Sequence, residues 1–329
     1  MKFLVQTLLL MVMGTGIATA QNAAALIKDA RQLSNQKNYA GAVEKYKSAL
    51  TIEPGNIAAN YQLAFALFAS GKGPEGLPYL DKVVNANAGA PLKAASYSLM
   101  GSIYGNAKQL AKAIDAYKNG IKTDSTNQRI YYNLGIVQYR SKLYPDAEQS
   151  FISAIKRDSA DAGSVRMYAL TTFHENKRAE ALLGFCRFLQ LEPNTARSKE
   201  TFDNLQNILQ RGTLEAEEGY QPTSATKAEA FTQNKSITKV LAGFMTRKYA
   251  SQTALLTAQL KELFAALGSV TVKPYRYAQY YNDLSQTDSF ETFVRVISQS
   301  GIPENAEWVK GNAEKVAALD SWVKTNKLQ

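Results

Sequence analysis

The chain has 329 residues, 45% hydrophobic and 20% charged, a globular composition long enough for one large or two ordinary domains. One cysteine, Cys186, and one histidine, His174, exclude an intramolecular disulfide, a thiolate or histidine-rich metal cage, and most histidine-based catalysis. The net charge of +10 excludes an acidic, solvating chain and leaves anionic partners open.

Lys2 precedes an apolar run from Leu8 to Met13 and then the small residues Ala18-Thr19-Ala20. That order predicts a cleaved secretory signal over residues 1–20 and a mature chain beginning at Gln21, in the bacterial periplasm or outside the cell. No cysteine stands beside the cleavage point for lipid attachment. No later apolar run reaches about 18 residues, so the mature chain is not expected to span a membrane.

Residues 21–212 repeat. Ala42, Gly76, Ala113, Ala147 and Ala181 are spaced by 34, 37, 34 and 34 residues. Four residues after each stand Tyr46, Leu80, Tyr117, Phe151 and Phe185. Leu63-Ala64, Met100-Gly101, Leu134-Gly135 and Tyr168-Ala169 recur upstream at the same spacings. A small side chain lets a partner helix approach closely, and the large residue one turn later fills the gap between neighbours. Stacked helical units are therefore expected, with Pro54 and Pro193 closing two of them. Gly76 and Pro78 fall inside one second helix and are expected to shorten or kink it.

The pattern resembles the tetratricopeptide repeat (TPR), best in "YYNLGIVQYRSKLYPDAEQSFISAIKRD" and "NYAGAVEKYKSALTIEP". The resemblance implies an all-α, TPR-like α-solenoid of about five helix–turn–helix units: 23–56, 57–90, 94–127, 128–161 and 162–195. Pro91-Leu92-Lys93 is expected in an inter-repeat turn. Phe202, Leu205, Ile208 and Leu209 share one face of a capping helix expected over 196–210.

Residues 213–230 are polar, acidic and Pro/Gly-containing, and read as a linker. Residues 231–329 predict a small α-helical domain of about four helices. Ser236 is expected to cap the first, and Ser251 to precede the second, which carries Leu256, Leu260, Leu263, Phe264 and Leu267. Val270–Val272 is the one strand candidate. Lys273-Pro274-Tyr275-Arg276-Tyr277, with Tyr280-Tyr281, interleaves bases and aromatics, but a packing strip is the favoured reading and no nucleic acid partner is expected. Asp288 and Glu291 form a capping-box pattern before Phe290 and Phe293. Pro303 is expected to open one last helix that buries Trp308, Val309, Val316, Leu319, Trp322 and Val323.

No nucleophile, paired-carboxylate or phosphate-loop pattern accompanies these elements. His174 reads as a partly exposed helix-end residue, and Cys186 as a packed, inert thiol. The expected function is a non-enzymatic protein- or peptide-binding scaffold without cofactor or metal. The alternatives are a structural component of an envelope or secretion assembly, or an enzyme with its site in the C-terminal helices. Residues 21–212 carry 24 basic and 16 acidic side chains, against 13 and 12 in 213–329, so the basic excess belongs to the repeats.

The resemblance implies a ligand groove lined by first helices. Its positions here are Arg31; Tyr61, Phe65 and Phe68; Ser98, Ser102 and Asn106; Arg129, Tyr132, Ile136, Tyr139 and Arg140; and Arg166 and Phe173. Aromatic anchors with guanidinium groups suit an extended peptide with apolar side chains and an acidic group or terminus. Packing of several of these aromatics between units is the alternative. TPR proteins that hold a chaperone's acidic tail use a Lys/Asn clamp. Asn133 matches one clamp position, while Ile27, Arg31 and Ser98 replace others, which argues against that ligand.

Overall fold

Small residues opposite large ones draw the helices into close pairs. The computed structural model describes residues 22–211, 224–268 and 277–326, and every regular element among these described residues is an α-helix. A first helix, α1, covers 22–35. There follow α2 (Tyr39–Ile52), α3 (Ile57–Ala69), α4 (Gly73–Asn85), α5 (Ala90–Asn106), α6 (Leu110–Thr123), α7 (Gln128–Arg140), α8 (Tyr144–Arg157), α9 (Ala162–His174), α10 (Arg178–Leu191) and α11 (Ala196–Arg211). The C-terminal helices are α12 (Ser224–Ala242), α13 (Gln252–Gly268), α14 (Tyr277–Leu284), α15 (Phe290–Ser298), α16 (Pro303–Gly311) and α17 (Ala313–Thr325).

One turn recurs between the two helices of each pair. Lys37, Lys108, Lys142 and Asn176 have φ of 56–59°, and Gly71 has 81°. In each case the next residue's N–H donates five residues back, as Asn38 does to Leu33, Lys72 to Leu67 and Gln109 to Tyr104. This is the Schellman ending, which uses carbonyls the helix leaves open and needs a left-handed residue to reverse the chain. The five positions follow the spacing of the repeat. The small–large pairing is equally direct: a Cβ on Gly101 would lie 2.7 Å from Tyr117 Cζ, and one on Gly184 3.3 Å from Tyr168 Cδ1.

The chain divides into two compact units between Val137 and Gln138, inside α7. In the first, Tyr46 and Val43 of α2 pack with Leu63 and Leu67 of α3. Leu80 of α4 then packs with Leu99 and Ile103 of α5, and Tyr117 of α6 with Ile130 and Leu134 of α7. Pro78 lies within α4, which keeps 13 residues against 14 in α2. Pro91-Leu92-Lys93 is not a turn but the first turn of α5, which starts at Ala90. A proline is tolerated there because the opening N–H groups of a helix have no intrahelical acceptor, so the insertion lengthens α5 to 17 residues.

In the second unit α10 is the central helix. Every residue from Arg178 to Leu189 is buried. Besides α9 and α11, α10 touches α12, α14 and α15. Gln190 ties it further, donating to the Tyr280 hydroxyl at 3.2 Å and accepting from Tyr281 at 3.3 Å. Phe264, Tyr281, Phe290 and Phe293 form an aromatic cluster among α13, α14 and α15.

Several C-terminal expectations are corrected. Residues 224–230 are helical rather than linker, and Ser236 lies inside α12 rather than capping it, because α12 begins at Ser224. Ser251 does cap α13, its hydroxyl accepting from the Ala254 N–H at 3.1 Å. Ser289 precedes α15 without a side-chain cap, and Glu291 instead pairs with Arg295 one turn on. The last helix is two, broken at Asn312, and of its expected apolar face only Leu319 is buried. Tyr277, Tyr280 and Tyr281 are buried. The signal segment, residues 213–223 and the strand candidate at Val270–Val272 lie outside the described residues. No helix among the described residues is long and apolar enough to cross a membrane.

Candidate functional site

In the first unit α3 carries aromatic side chains at positions 61, 65 and 68, spacings that keep them on one side of a helix. Tyr61 and Phe68 are half-buried against the core of Leu80, Leu99 and Ile103. Burial raises the Tyr61 hydroxyl pKa above its ordinary value. Phe65 stays 39% exposed, edge-on to Tyr39 of α2 at 6.4 Å. Arg31 and Arg129 are exposed, while Tyr132 and Ile136 are half-buried. The structure thus gathers Tyr61, Phe65 and Phe68 on one helix, with the flanking two serving as packing and Phe65 presented outward.

In the second unit Tyr139 meets Tyr144 at 5.4 Å and His174 at 5.5 Å. The His174 ring stacks on Tyr144 at 5.4 Å with only 9° between planes. Burial, then the Lys142 charge, lowers the His174 pKa. Phe173 leans on the buried Phe185 at 5.7 Å. Arg140 is exposed. Arg166 is engaged: Nη2 reaches Glu200 Oε2 at 2.6 Å and Nε donates to Thr201 Oγ1 at 3.3 Å, tying α9 to α11. Its side chain is only 14% exposed. Cys186 is fully buried, and burial pushes its thiol pKa well up, as an inert packed thiol requires.

A buried ionic cluster at the α9–α10 turn was not anticipated from the sequence. Lys177 is paired with Glu148 of α8 and lies 3.5 Å from Glu175. Burial, with Glu148 adding to it and Lys177 opposing, raises the Glu175 pKa to about 8. Arg178 follows, fully buried. Asn234 of α12 spans the turn, accepting from the Arg178 N–H at 3.1 Å and donating to the Asn176 carbonyl at 2.7 Å. In the sequence Glu175, Lys177, Arg178 and Glu180 are four charged side chains within six residues of a helix–helix turn. No local pattern could mark Arg178, because Asn234 and Thr238 of α12, more than 50 residues on, lie against it. Among the described residues no group of His, Cys, Asp and Glu is placed to hold a metal ion.

Paired helices with a common left-handed turn and small–large contacts define an all-α, TPR-like repeat fold. Residues 33–96 match the tetratricopeptide repeat family model and residues 101–142 a TPR repeat model, so this part of the chain is a run of tetratricopeptide repeats. A TPR repeat-containing protein of Methanocaldococcus jannaschii is 24% identical over 178 residues, which are 52% of this chain and 30% of that relative. The chain therefore spans less than a third of that curated relative. MamA of Desulfovibrio magneticus is 16% identical, with 52% of this chain and 95% of that one covered and a TM-score of 0.48. PilF of Pseudomonas aeruginosa is also 16% identical, with 66% and 99% covered and a TM-score of 0.48.

Proposed function

We propose that this chain is a non-enzymatic protein-interaction scaffold whose repeats bind an extended peptide segment through aromatic side chains of their first helices. The observation that carries the reading is Phe65: a large apolar side chain 39% exposed on α3, its ring edge-on to Tyr39 of α2. A rigid aromatic with its surroundings already fixed loses little entropy when a partner covers it. The exposed Arg31, Arg129 and Arg140 offer two-point contacts to an acidic group or chain terminus. Arg166 and Phe173 serve packing in this reading and fall outside the contact set. The Ala18-Thr19-Ala20 site supports placing the scaffold in the periplasm or outside the cell.

Affinity capture from an envelope fraction with the full mature chain tests the reading. A Phe65→Ala chain that keeps its helical signal is expected to weaken capture by about 1–3 kcal/mol. Full-strength capture by a folded chain carrying Phe65→Ala, Tyr132→Ala and Arg129→Ala together overturns it.

A further inference from the structure

The repeat register reveals a missing side chain in the first unit. Three residues before each small residue of the repeat stand Tyr39, Gly73, Leu110, Tyr144 and Arg178. Four of these are large, and each is seated. Tyr39 lies edge-on to Phe65, Leu110 packs against the core of Tyr117 and Ile130, Tyr144 is 2% exposed and Arg178 is fully buried. At Gly73 there is no side chain, and a pocket of about 200 Å³ lies there instead. The buried Gly73 and Ile103 and the half-buried Phe68 line it, with the exposed Pro74, Asn106 and Ala107 at its rim. A Cβ on Gly73 would lie 3.3 Å from Ile103 Cγ1 and 3.4 Å from Phe68 Cδ2, so a side chain at 73 would enter this same space.

The same place in a later repeat shows what fits. Tyr139 stands eight residues before Ala147 as Phe68 stands before Gly76, and His174 seven before Ala181 as Asn106 before Ala113. The ring of Tyr144 is held by Tyr139 and His174, edge-on to the first and stacked on the second, 5.4 Å from each. Phe68 and Asn106 hold the corresponding positions, with Gly73 in place of the tyrosine. We propose that the Gly73 pocket takes an aromatic side chain of the bound peptide segment, seated as Tyr144 is seated in its own repeat. The volume suffices, since an apolar cavity of about 150 Å³ takes a benzene ring. Ile103 and Phe68 offer apolar surface to the ring, and the Asn106 amide supplies a polar group at the rim, which suits a phenol. Phe68 shares the side of α3 that presents Phe65, so the pocket is continuous with the surface proposed to bind the peptide. The identity of the donor therefore rests on the scaffold reading, and the pocket itself does not.

Magnetic resonance titration of the full mature chain with p-cresol, the free tyrosine side chain, and with cyclohexanol, a non-aromatic ring alcohol, tests the proposal. Saturable p-cresol binding that shifts the Gly73 and Ala107 amide signals is expected, about threefold or more tighter than cyclohexanol. Gly73→Tyr, which supplies the missing ring within the chain, is expected to weaken p-cresol binding by about tenfold or more and to lower capture from the envelope fraction several-fold. Should that chain fail to fold, Ala107→Trp on the exposed rim is expected to do the same by covering the mouth. No saturable p-cresol binding, equal or tighter binding of cyclohexanol, or unchanged p-cresol binding in a folded Gly73→Tyr or Ala107→Trp chain overturns the pocket. Loss of p-cresol binding in the Gly73→Tyr chain with capture at full strength overturns the peptide donor in favour of a free phenol. Failure of the scaffold reading is a different result, full-strength capture by the chain altered at Phe65, Tyr132 and Arg129.

Discussion

Lys37, Lys108, Lys142 and Asn176 hold a backbone conformation that glycine adopts without strain, and Gly71 shows the alternative at the same place in the repeat. Lys108→Gly is therefore expected to stabilise the chain by about 0.5–1 kcal/mol, read as a higher urea midpoint. Gly71→Ala is expected to destabilise it by a similar amount, because nothing lies within 4 Å of a Cβ there and only the backbone conformation resists. Gly101 is the opposite case. Its Cβ would meet the Tyr117 ring at 2.7 Å, so Gly101→Ala is expected to cost about 1–3 kcal/mol, and Tyr117→Leu in the same chain to recover part of it. Glu175 sets a pH dependence of unusual sign. Its folded pKa of about 8 lies above the unfolded value, so between those two values the folded chain holds a proton that the unfolded chain has lost. This site therefore lowers stability as pH rises from about 5 to 8, and Glu175→Gln is expected to flatten that fall in urea melts across the range.

At the scale of the element, α10 differs from the other second helices. In α2 and α6 the residues that face away from the pair, such as Lys45, Lys47, Lys118 and Asn119, are exposed. In α10 the corresponding side is covered by α12, α14 and α15. The anchoring is polar as well as apolar: Asn234 spans the α9–α10 turn and Gln190 bonds two tyrosines of α14. A chain ending at Arg211 would open Arg178 and much of α10 to water. It is expected to melt below the full-length chain and to expose apolar surface, detected as dye binding. Asn234→Ala in the full chain is expected to cost about 1–3 kcal/mol, since it strands the Arg178 N–H and the Asn176 carbonyl in a buried place.

For the whole molecule the distribution of charge matters more than its total. The excess of basic over acidic side chains lies in residues 21–212, which hold 24 and 16. An acidic partner drawn to that segment is expected to associate faster at low ionic strength. Capture at about 0.5 M salt should then fall well below capture at about 0.05 M, since the Debye length shortens several-fold across that range. Salt-independent capture would point to the apolar contacts alone.

The repeat was legible because its causes are local. The spacing of Ala42, Gly76, Ala113, Ala147 and Ala181, and the large residue four positions later, follow from contacts between neighbouring helices, and such contacts leave a period in the chain. The fate of the candidate site residues was only half written there. That 61, 65 and 68 share one side of α3 is a matter of helical period, but which of them packs was set by Leu99 and Ile103 of the next pair. Arg166 read as a groove cation, and Glu200, one repeat on, took it as an ion-pair partner. The ionic cluster around Glu175, Lys177 and Arg178 left no pattern, because polar residues at a turn read the same whether water or another helix lies over them. Composition and period determined the helices, their pairing and the turn between them. Only the tertiary structure decided which polar side chains are buried, because burial depends on segments distant in the chain and sequence periodicity reports only near neighbours.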